Sequence, residues 1–347
     1  MKMSRFVIAS TRKSAGKTGL VAGLGAALGG KCGYMKPLGD RLLYQKKRLW
    51  DYDAAVISRA WELKVDPENM TLGFEHAKLR FMYDEKAMSK RLTELAAEME
   101  KGRNHLFIEA GEDLSFGSSV GLDALSVARV TGARVILVAG GTDDRISDDL
   151  AFVHIWLNEP GVKFAGVVIN RVQDPEDFRH THMDRIKSLG IPVLGVLPLR
   201  QELNQISAGF VADRLFARVL AGEPGLNAAV KNVLIGSIGS QAALSEALKK
   251  EKMLIITSGD RSDVILAALE ADTSCLVLTN DAVPPSQVIA KAAERNIPLL
   301  LVPQDTHETA RRIDALEPLL SVGDAEKFSV LEKDVKAGID LKALRKS

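Results

Sequence analysis

Ser10-Thr11-Arg12-Lys13-Ser14-Ala15-Gly16-Lys17-Thr18 is the stretch on which the reading of this chain turns. An apolar run with strand character, Phe6-Val7-Ile8-Ala9, leads into it, and a small-residue helical run over 20–28 leads out. Strand, tight loop ending in Gly-Lys-Thr, then helix is a layout that cradles a nucleoside triphosphate. The loop amides and the helix N-terminus point at the phosphates and favour negative charge there. Lys17 is placed to reach the β- and γ-phosphates, and the Thr18 hydroxyl to ligate Mg²⁺. Gly16 lets the backbone approach the phosphates closely. The first glycine usual in such loops is missing, because Ser10 and Thr11 stand there. Either residue, if driven to positive φ, would carry strain of roughly 1–2 kcal/mol.

A length of 347 residues exceeds what one core usually serves, so two domains are expected. Apolar content of 46% and charged content of 26% are those of an ordinary globular chain. A net charge of +1 gives no reason to expect nucleic acid or an anionic membrane as partner. The two cysteines, Cys32 and Cys275, lie far apart and fit small apolar roles in a reducing compartment. The first strand begins almost at once, so no signal peptide is expected. No apolar stretch approaches the ~20 residues that span a bilayer, and a cytoplasmic location is expected.

Short apolar runs alternate with helical patterns down the chain. Strands are expected over 33–37, 105–109, 133–139, 164–170 and 191–198, and helices at 54–58, 85–101, 122–131, 148–157, 176–189 and 203–220. Residues 40–48 read as a polar, basic, mobile loop, and 67–83 as an irregular insertion. After the turn-rich segment at 221–225 the alternation restarts. Strands at 233–235, 253–256, 274–278 and 298–302 then alternate with helices from Gln241 and over 262–271, 286–295 and 306–316. Strands without polar alternation are buried on both faces, which calls for a parallel sheet wrapped by helices. The fold class is therefore α/β, a P-loop NTPase-type sheet over 1–222, a smaller α/β domain over 226–322 and a charged tail over 323–347.

In such sheets ligands bind at the carboxyl ends of strands. Lys36, Glu109, the run Gly140-Gly141-Thr142-Asp143 and Asn170 gather there. Glu109 is placed as a Walker B acid, and equally as a helix cap. Asp53 is a second candidate metal ligand or the N-cap of the helix it opens. Arg12 and Lys13 either stabilise charge on a transferring phosphoryl group or are solvated. His180 and His182 sit two apart on an expected helix and point apart, which argues against a shared metal. Asp260-Arg261-Ser262-Asp263 reads as a helix cap or a ligand contact, and Lys46-Lys47-Arg48 as a solvated face.

These residues resemble the dethiobiotin synthetase family of P-loop proteins over about 4–220. Ser10-Thr11 stands in the place of that family's Gly-Thr, Lys36-Pro37 matches its Lys-Pro segment, and Asp53-Ala54 its metal-binding helix start. Ile108-Glu109-Ala110-Gly111 resembles its Glu-Gly-Ala-Gly strand end, Asn170 its adenine-reading asparagine, and 194–198 its Leu-Gly-x-x-Pro strand. The second domain resembles the module named for an Asp-Arg-Thr-Gly-Gly motif, altered here to Asp260-Arg261-Ser262-Asp263-Val264. That tandem order looks like the N-terminal, non-catalytic part of long phosphotransacetylases, occurring here without the acyltransferase domain.

The resemblance implies ATP and Mg²⁺ as cofactors. It implies Arg12, Lys13, Ala15, Gly16, Lys17, Thr18, Gly19, Asn170 and Pro198 as the nucleotide-binding set. Thr18, Asp53 and Glu109 are the implied metal ligands, and Lys17, Lys36 and Thr11 the catalytic group. The substrate half departs from the family, since Leu38-Gly39-Asp40 and Gly111-Glu112-Asp113 bring extra carboxylates where a carbamate is expected. Like charges in a low-dielectric cleft are costly. Two readings stay open: a regulatory ATP-binding module that dimerises or senses a metabolite, and a ligase-like enzyme phosphorylating a carboxylate or carbamate. A small metabolite and a second copy of the chain are the expected partners.

Overall fold

Strand β1 (Ser4–Ser10) runs through the middle of its sheet, with Phe6, Val7, Ile8 and Ala9 fully buried. A computed structural model of the protein describes residues 3–29, 31–45, 47–157, 160–236, 246, 249–321 and 324–345. The chain divides into one unit of Met1–Arg200 with Ala325–Ser347 and another of Gln201–Asp324.

In the first unit β1 is followed by β2 (Cys32–Met35), β3 (Leu42–Gln45), β4 (Arg48–Asp51), β5 (His105–Glu109), β6 (Arg134–Gly140), β7 (Lys163–Val172) and β8 (Val193–Pro198). Six of these form a parallel sheet in the order β2-β5-β1-β6-β7-β8. Its helices are α1 (Lys17–Leu28), α2 (Tyr52–Ala60), α3 (His76–Met82), α4 (Glu85–Met99), α5 (Ala124–Thr131), α6 (Asp143–Leu157), α7 (Pro175–Thr181) and α8 (Met183–Ser188). The chain reaches β2, returns through β5 beside β1, then crosses to β6 on the other flank. That reversal opens a crevice at the carboxyl end of β1, where open α/β sheets hold their ligands.

Four sequence expectations are corrected. Residues 40–48 are not a mobile loop, because β3 and β4 pair as a hairpin through Leu42↔Asp51 and Leu43↔Trp50. The insertion at 67–83 holds a 3-10 turn, Pro67–Met70, and α3, anchored by buried Met70 and Leu79. The helix expected over 176–189 breaks into α7 and α8 at His182, whose φ is −113°. The helix expected over 203–220 shortens to α9 (Ala208–Leu215), which starts on the Ser207 hydroxyl and stops where Phe216 turns left-handed at φ 53°. The helix expected from Gln241 lies outside the described residues.

The tail is a packed element. Helix Ala325–Gly338 lies against α1, and the glycines of α1 are what admit it. A Cβ at Gly23 would sit 2.6 Å from Val335 Cγ2 and 2.8 Å from the Leu331 carbonyl oxygen. Gly195 likewise meets the Gly338 carbonyl, and Arg200 holds Asp334 in a two-pronged ion pair.

The second unit contains β9 (Ile206–Ser207), β10 (Arg218–Ala221), β11 (Ala229–Val230), β12 (Asn232–Ile235), β13 (Met253–Ser258), β14 (Thr273–Thr279) and β15 (Leu299–Leu301). Its sheet has the order β10-β15-β14-β13-β12, with β12 to β15 parallel and β10 antiparallel at an edge. Ile255, Leu276 and Leu278 pack with Val264 and Ile265 of helix Ser262–Glu270 on one face. Leu254, Ile256 and Val277 pack with Val211, Leu215 and Ile313 on the other. Residues 201–222, expected in the first domain, therefore build into this second core. Among the described residues no helix is long and apolar enough to cross a membrane.

Candidate functional site

The loop after β1 turns on two left-handed residues, Ser14 at φ 58° and Gly16 at φ 100°. Ser10 and Thr11 keep negative φ, so the strain foreseen for a missing first glycine does not arise there. Gly16 is required twice over, because a Cβ on it would also lie 2.3 Å from Asn170 Nδ2. Lys17 opens α1 and is buried. Its Nζ donates to Ser10 Oγ at 2.9 Å and to the Glu112 carbonyl oxygen at 3.0 Å. Burial lowers its pKa, which leaves an ammonium that gains by meeting an anion.

At the next residue, Thr18 Oγ1 donates to Glu109 Oε1 at 2.8 Å, and the Tyr34 hydroxyl donates to Glu109 Oε2 at 3.0 Å. The register Ile8↔Glu109 between β1 and β5 brings this carboxylate level with the loop. Burial, reinforced by the charge of Asp53, pushes the Glu109 pKa up to about 7. A hydroxyl and a carboxylate are hard oxygen donors of the kind Mg²⁺ takes. A divalent cation at Glu109 would also offset the cost of its buried charge. The donor set fits the ion.

Beside this pair lies an ionic cluster that sequence alone did not reveal. Lys36 is fully buried, with Nζ 2.5 Å from both Asp40 Oδ1 and Asp53 Oδ2 and 3.6 Å from Asp51 Oδ2. Asp51, not Asp53, is the N-cap of α2, accepting from the Asp53 and Ala54 amides. Its other oxygen accepts from the Asp40 and Arg41 amides, at 3.2 and 3.3 Å, and ties the loop after Pro37 to the helix start. Asp53 is thus released from capping and receives Lys36 and Arg41 Nη1 instead. Burial would raise the Asp53 pKa, but those two cations hold it down at about 2, whereas burial lifts Asp51 to about 6. Asp40, Asp51 and Asp53 each offer a carboxylate oxygen within 4.8 Å of the others. The extra carboxylate at Asp40 is therefore neutralised by Lys36 rather than facing an acceptor.

Arg41 is a candidate site residue that sequence alone did not single out. It lies in the stretch expected to be a mobile loop, and its signal is only that it is basic. Its guanidinium reaches from Asp53 to Ser14 Oγ, at 3.4 Å, and so joins the acidic cluster to the phosphate loop.

The remaining candidates fall in two groups. Arg12 pairs with Asp149 and Lys13 with Glu112, so both are engaged across the mouth of the loop. Ala15 is buried, and its carbonyl accepts from Asn170 Nδ2 at 2.9 Å, while Arg171 Nη1 donates to the Ser14 carbonyl. Asn170 here braces the loop backbone. Pro198 ends β8 opposite Val172, and a Cβ on Gly19 would contact Leu331. Thr11 Oγ1 is buried without a hydrogen-bond partner, beside an open cavity of about 820 Å³ that Arg12, Asp113, Arg145 and Phe152 also line.

In the second unit Arg261 pairs with Asp263 on the exposed first turn of helix Ser262–Glu270, and the chain enters that turn through Gly259, where no Cβ fits under Ala282. His182 Nδ1 lies 3.0 Å from Ser147 Oγ, away from any second histidine's role. Of the basic run, Lys46 lies outside the described residues and exposed Arg48 pairs with Glu68.

Fold and loop together define the first unit as a P-loop domain, followed by a second α/β domain. The AAA domain family matches residues 4–207, and this chain belongs to it; the DRTGG domain matches residues 210–316. A phosphate acetyltransferase from Synechocystis sp. is 30% identical over 217 residues, covering 58% of this chain and 31% of that protein. One from Pseudomonas aeruginosa is 24% identical over 374 aligned positions, covering 99% of this chain and 52% of that protein. The chain therefore spans about a third to a half of the length of these curated relatives. Among solved structures, the septum site-determining protein MinD of Pyrococcus horikoshii, complexed with Mg-ADP, is 20% identical, covering 58% of this chain and 84% of that one at a TM-score of 0.37.

Proposed function

We propose that the protein binds ATP·Mg²⁺ at the loop after β1 and serves as a regulatory or sensory module in phosphate acetyltransferase metabolism, hydrolysing ATP slowly if at all. The observation that carries this reading is the Thr18–Glu109 contact beside buried Lys17. It pairs the hydroxyl and the acid that a Mg·triphosphate site needs on adjacent elements. Lys17, Thr18, Gly16 and Gly19 hold the phosphates, Arg12 and Lys13 flank them, and Asn170 and Pro198 border the base. When bound, Mg²⁺ neutralises phosphate charge, and Thr18 and Glu109 hold it with Asp53 nearby.

The regulatory reading is favoured because Lys36, the cation that would work on an acceptor, is already occupied. Lys36 and Arg41 are held by Asp53, which leaves a nucleotide half without a free substrate half. The ligase-like alternative draws on the cavity beside the unpartnered Thr11 hydroxyl. Thr11 would meet a carboxylate or carbamate acceptor there, while Lys36, the other residue expected on the acceptor, is buried outside that lining.

Calorimetry with Mg·ATP tests the site. The wild-type chain is expected to give saturable heat and Lys17→Ala none, and a Lys17→Ala protein that binds normally overturns the reading. ADP release that depends on added carboxylic acids would replace the module with the ligase. The chain is proposed to be cytoplasmic and to self-associate. The exposed Phe152, Ile155 and Trp156 on α6 support a second copy as partner. Sedimentation velocity showing only monomer at micromolar concentration would remove the second copy.

A further inference from the structure

The opposite end of the first sheet carries a second polar site. An open cavity of about 650 Å³ lies where the chain enters β2 and β5, at the amino ends of strands whose carboxyl ends face the phosphate loop. Its lining includes Lys31, Lys64, Lys101 and Arg103 against one acid, Glu62, with Trp61 forming part of the wall. Among the described residues no ion pair engages Lys31, Lys64 or Lys101. Glu100, the acid next to Lys101, is taken by Arg5. Arg103 donates one N–H to the Cys32 carbonyl, which fixes the guanidinium at the rim.

Four cations converging on one concave surface, with a single opposing acid, concentrate a positive field that a flat surface would dissipate. The volume falls within the range of small-molecule sites, roughly 300–1,000 Å³. The wall is also rigid. The Trp61 ring meets Tyr34 edge-on, with centroids 6.4 Å apart and planes at 88°, and lies 5.8 Å from Phe107. Gly25 makes room for it, since a Cβ there would lie 2.2 Å from Trp61 Cζ2.

We infer that this cavity is a binding site for a small phosphate-bearing anion, separate from the nucleotide crevice. Ammonium groups beside a guanidinium held by the Cys32 carbonyl suit a doubly or more highly charged oxyanion, and the indole gives its carbon skeleton a flat face. A sensory module needs an effector site, and this one lies outside the crevice that ATP would fill. The binding claim does not depend on the nucleotide reading.

The test uses the full chain with Trp50→Phe and Trp156→Phe, so that Trp61 is the only indole, and with Lys17→Ala, so that the phosphate loop contributes no anion binding. Inorganic phosphate and pyrophosphate are titrated against Trp61 emission and by calorimetry, with potassium chloride at matched ionic strength as baseline. A saturable change is expected with pyrophosphate, tighter than with phosphate. The exposed-lysine reversals Lys64→Glu and Lys101→Glu should each weaken it about tenfold or more, as loss of a close charge contact does. Absence of saturation by both methods, a response equal to that of chloride, or affinity unmoved by both reversals overturns the proposal. Failure of wild-type chain to bind Mg·ATP would instead strike the nucleotide reading and leave this result standing.

Discussion

Replacing Lys36 with methionine removes the one ammonium that three carboxylates share. Its Nζ lies 2.5 Å from Asp40 and Asp53 and 3.6 Å from Asp51, all with side chains no more than 7% exposed. Methionine keeps the volume and the apolar stem, so the change is chiefly electrostatic. Removing one partner of a buried ion pair costs about 3–5 kcal/mol, because the remaining charge is left uncompensated. Arg41 still faces Asp53 and offsets part of this, so the lower end applies. At about 2–4 °C per kcal/mol for a unit of this size, the first transition should fall by roughly 6–12 °C. The same three acids, within 4.8 Å of one another, then become a cage for a divalent cation where the ammonium had been. Binding at a hundredfold excess over Kd returns about 2.7 kcal/mol. Differential scanning fluorimetry with and without millimolar Mg²⁺ or Ca²⁺ reads both effects. The variant should melt early and gain more from metal than wild type does, since any gain at Thr18 and Glu109 is common to both. A Lys36→Met protein that melts with wild type, and ignores metal, would show that the cluster carries no such charge imbalance.

Two further outcomes follow from the geometry. Glu109, with a pKa of about 7 in the fold against an ordinary 4.5, holds a proton that the unfolded chain releases. In metal-free buffer it therefore costs stability as pH rises from about 4.5 to about 7. Urea unfolding at pH 5 and pH 7.5 should show a smaller decline for Glu109→Gln than for wild type, with Asp51 keeping a residual slope of the same sign; equal declines would place no shifted proton on Glu109. Gly23→Ala sets a helix-propensity gain of about 1 kcal/mol against overpacking onto Val335 and the Leu331 backbone, which typically costs about 1–3 kcal/mol. The packing loss should win, and hydrogen exchange should quicken in helix Ala325–Gly338. A stabilised variant with unchanged protection would mean that the tail does not need this contact.

The features legible in the sequence are local ones. Short two-sided apolar runs such as 6–9 and 106–108, alternating with helical patterns, fit buried parallel strands, so the sheet was legible. Gly-Lys-Thr at a strand-to-helix junction marked Gly16, Lys17 and Thr18, and Glu109 announced itself as an acid closing an apolar strand. Hairpin β3–β4 was not legible, because basic polar residues mask its pairing. Nor was the division of labour between Asp51 and Asp53, since either could cap α2 and only the fold shows which carboxylate turns inward to Lys36. Arg41 and helix Ala325–Gly338 belong to the same class. Their places depend on groups to which no local pattern ties them, Asp53 and Ser14 for the first, Gly19 and Gly23 for the second. Charges and close contacts between distant segments have no periodicity to betray them, so tertiary structure alone decided how the buried ions pair.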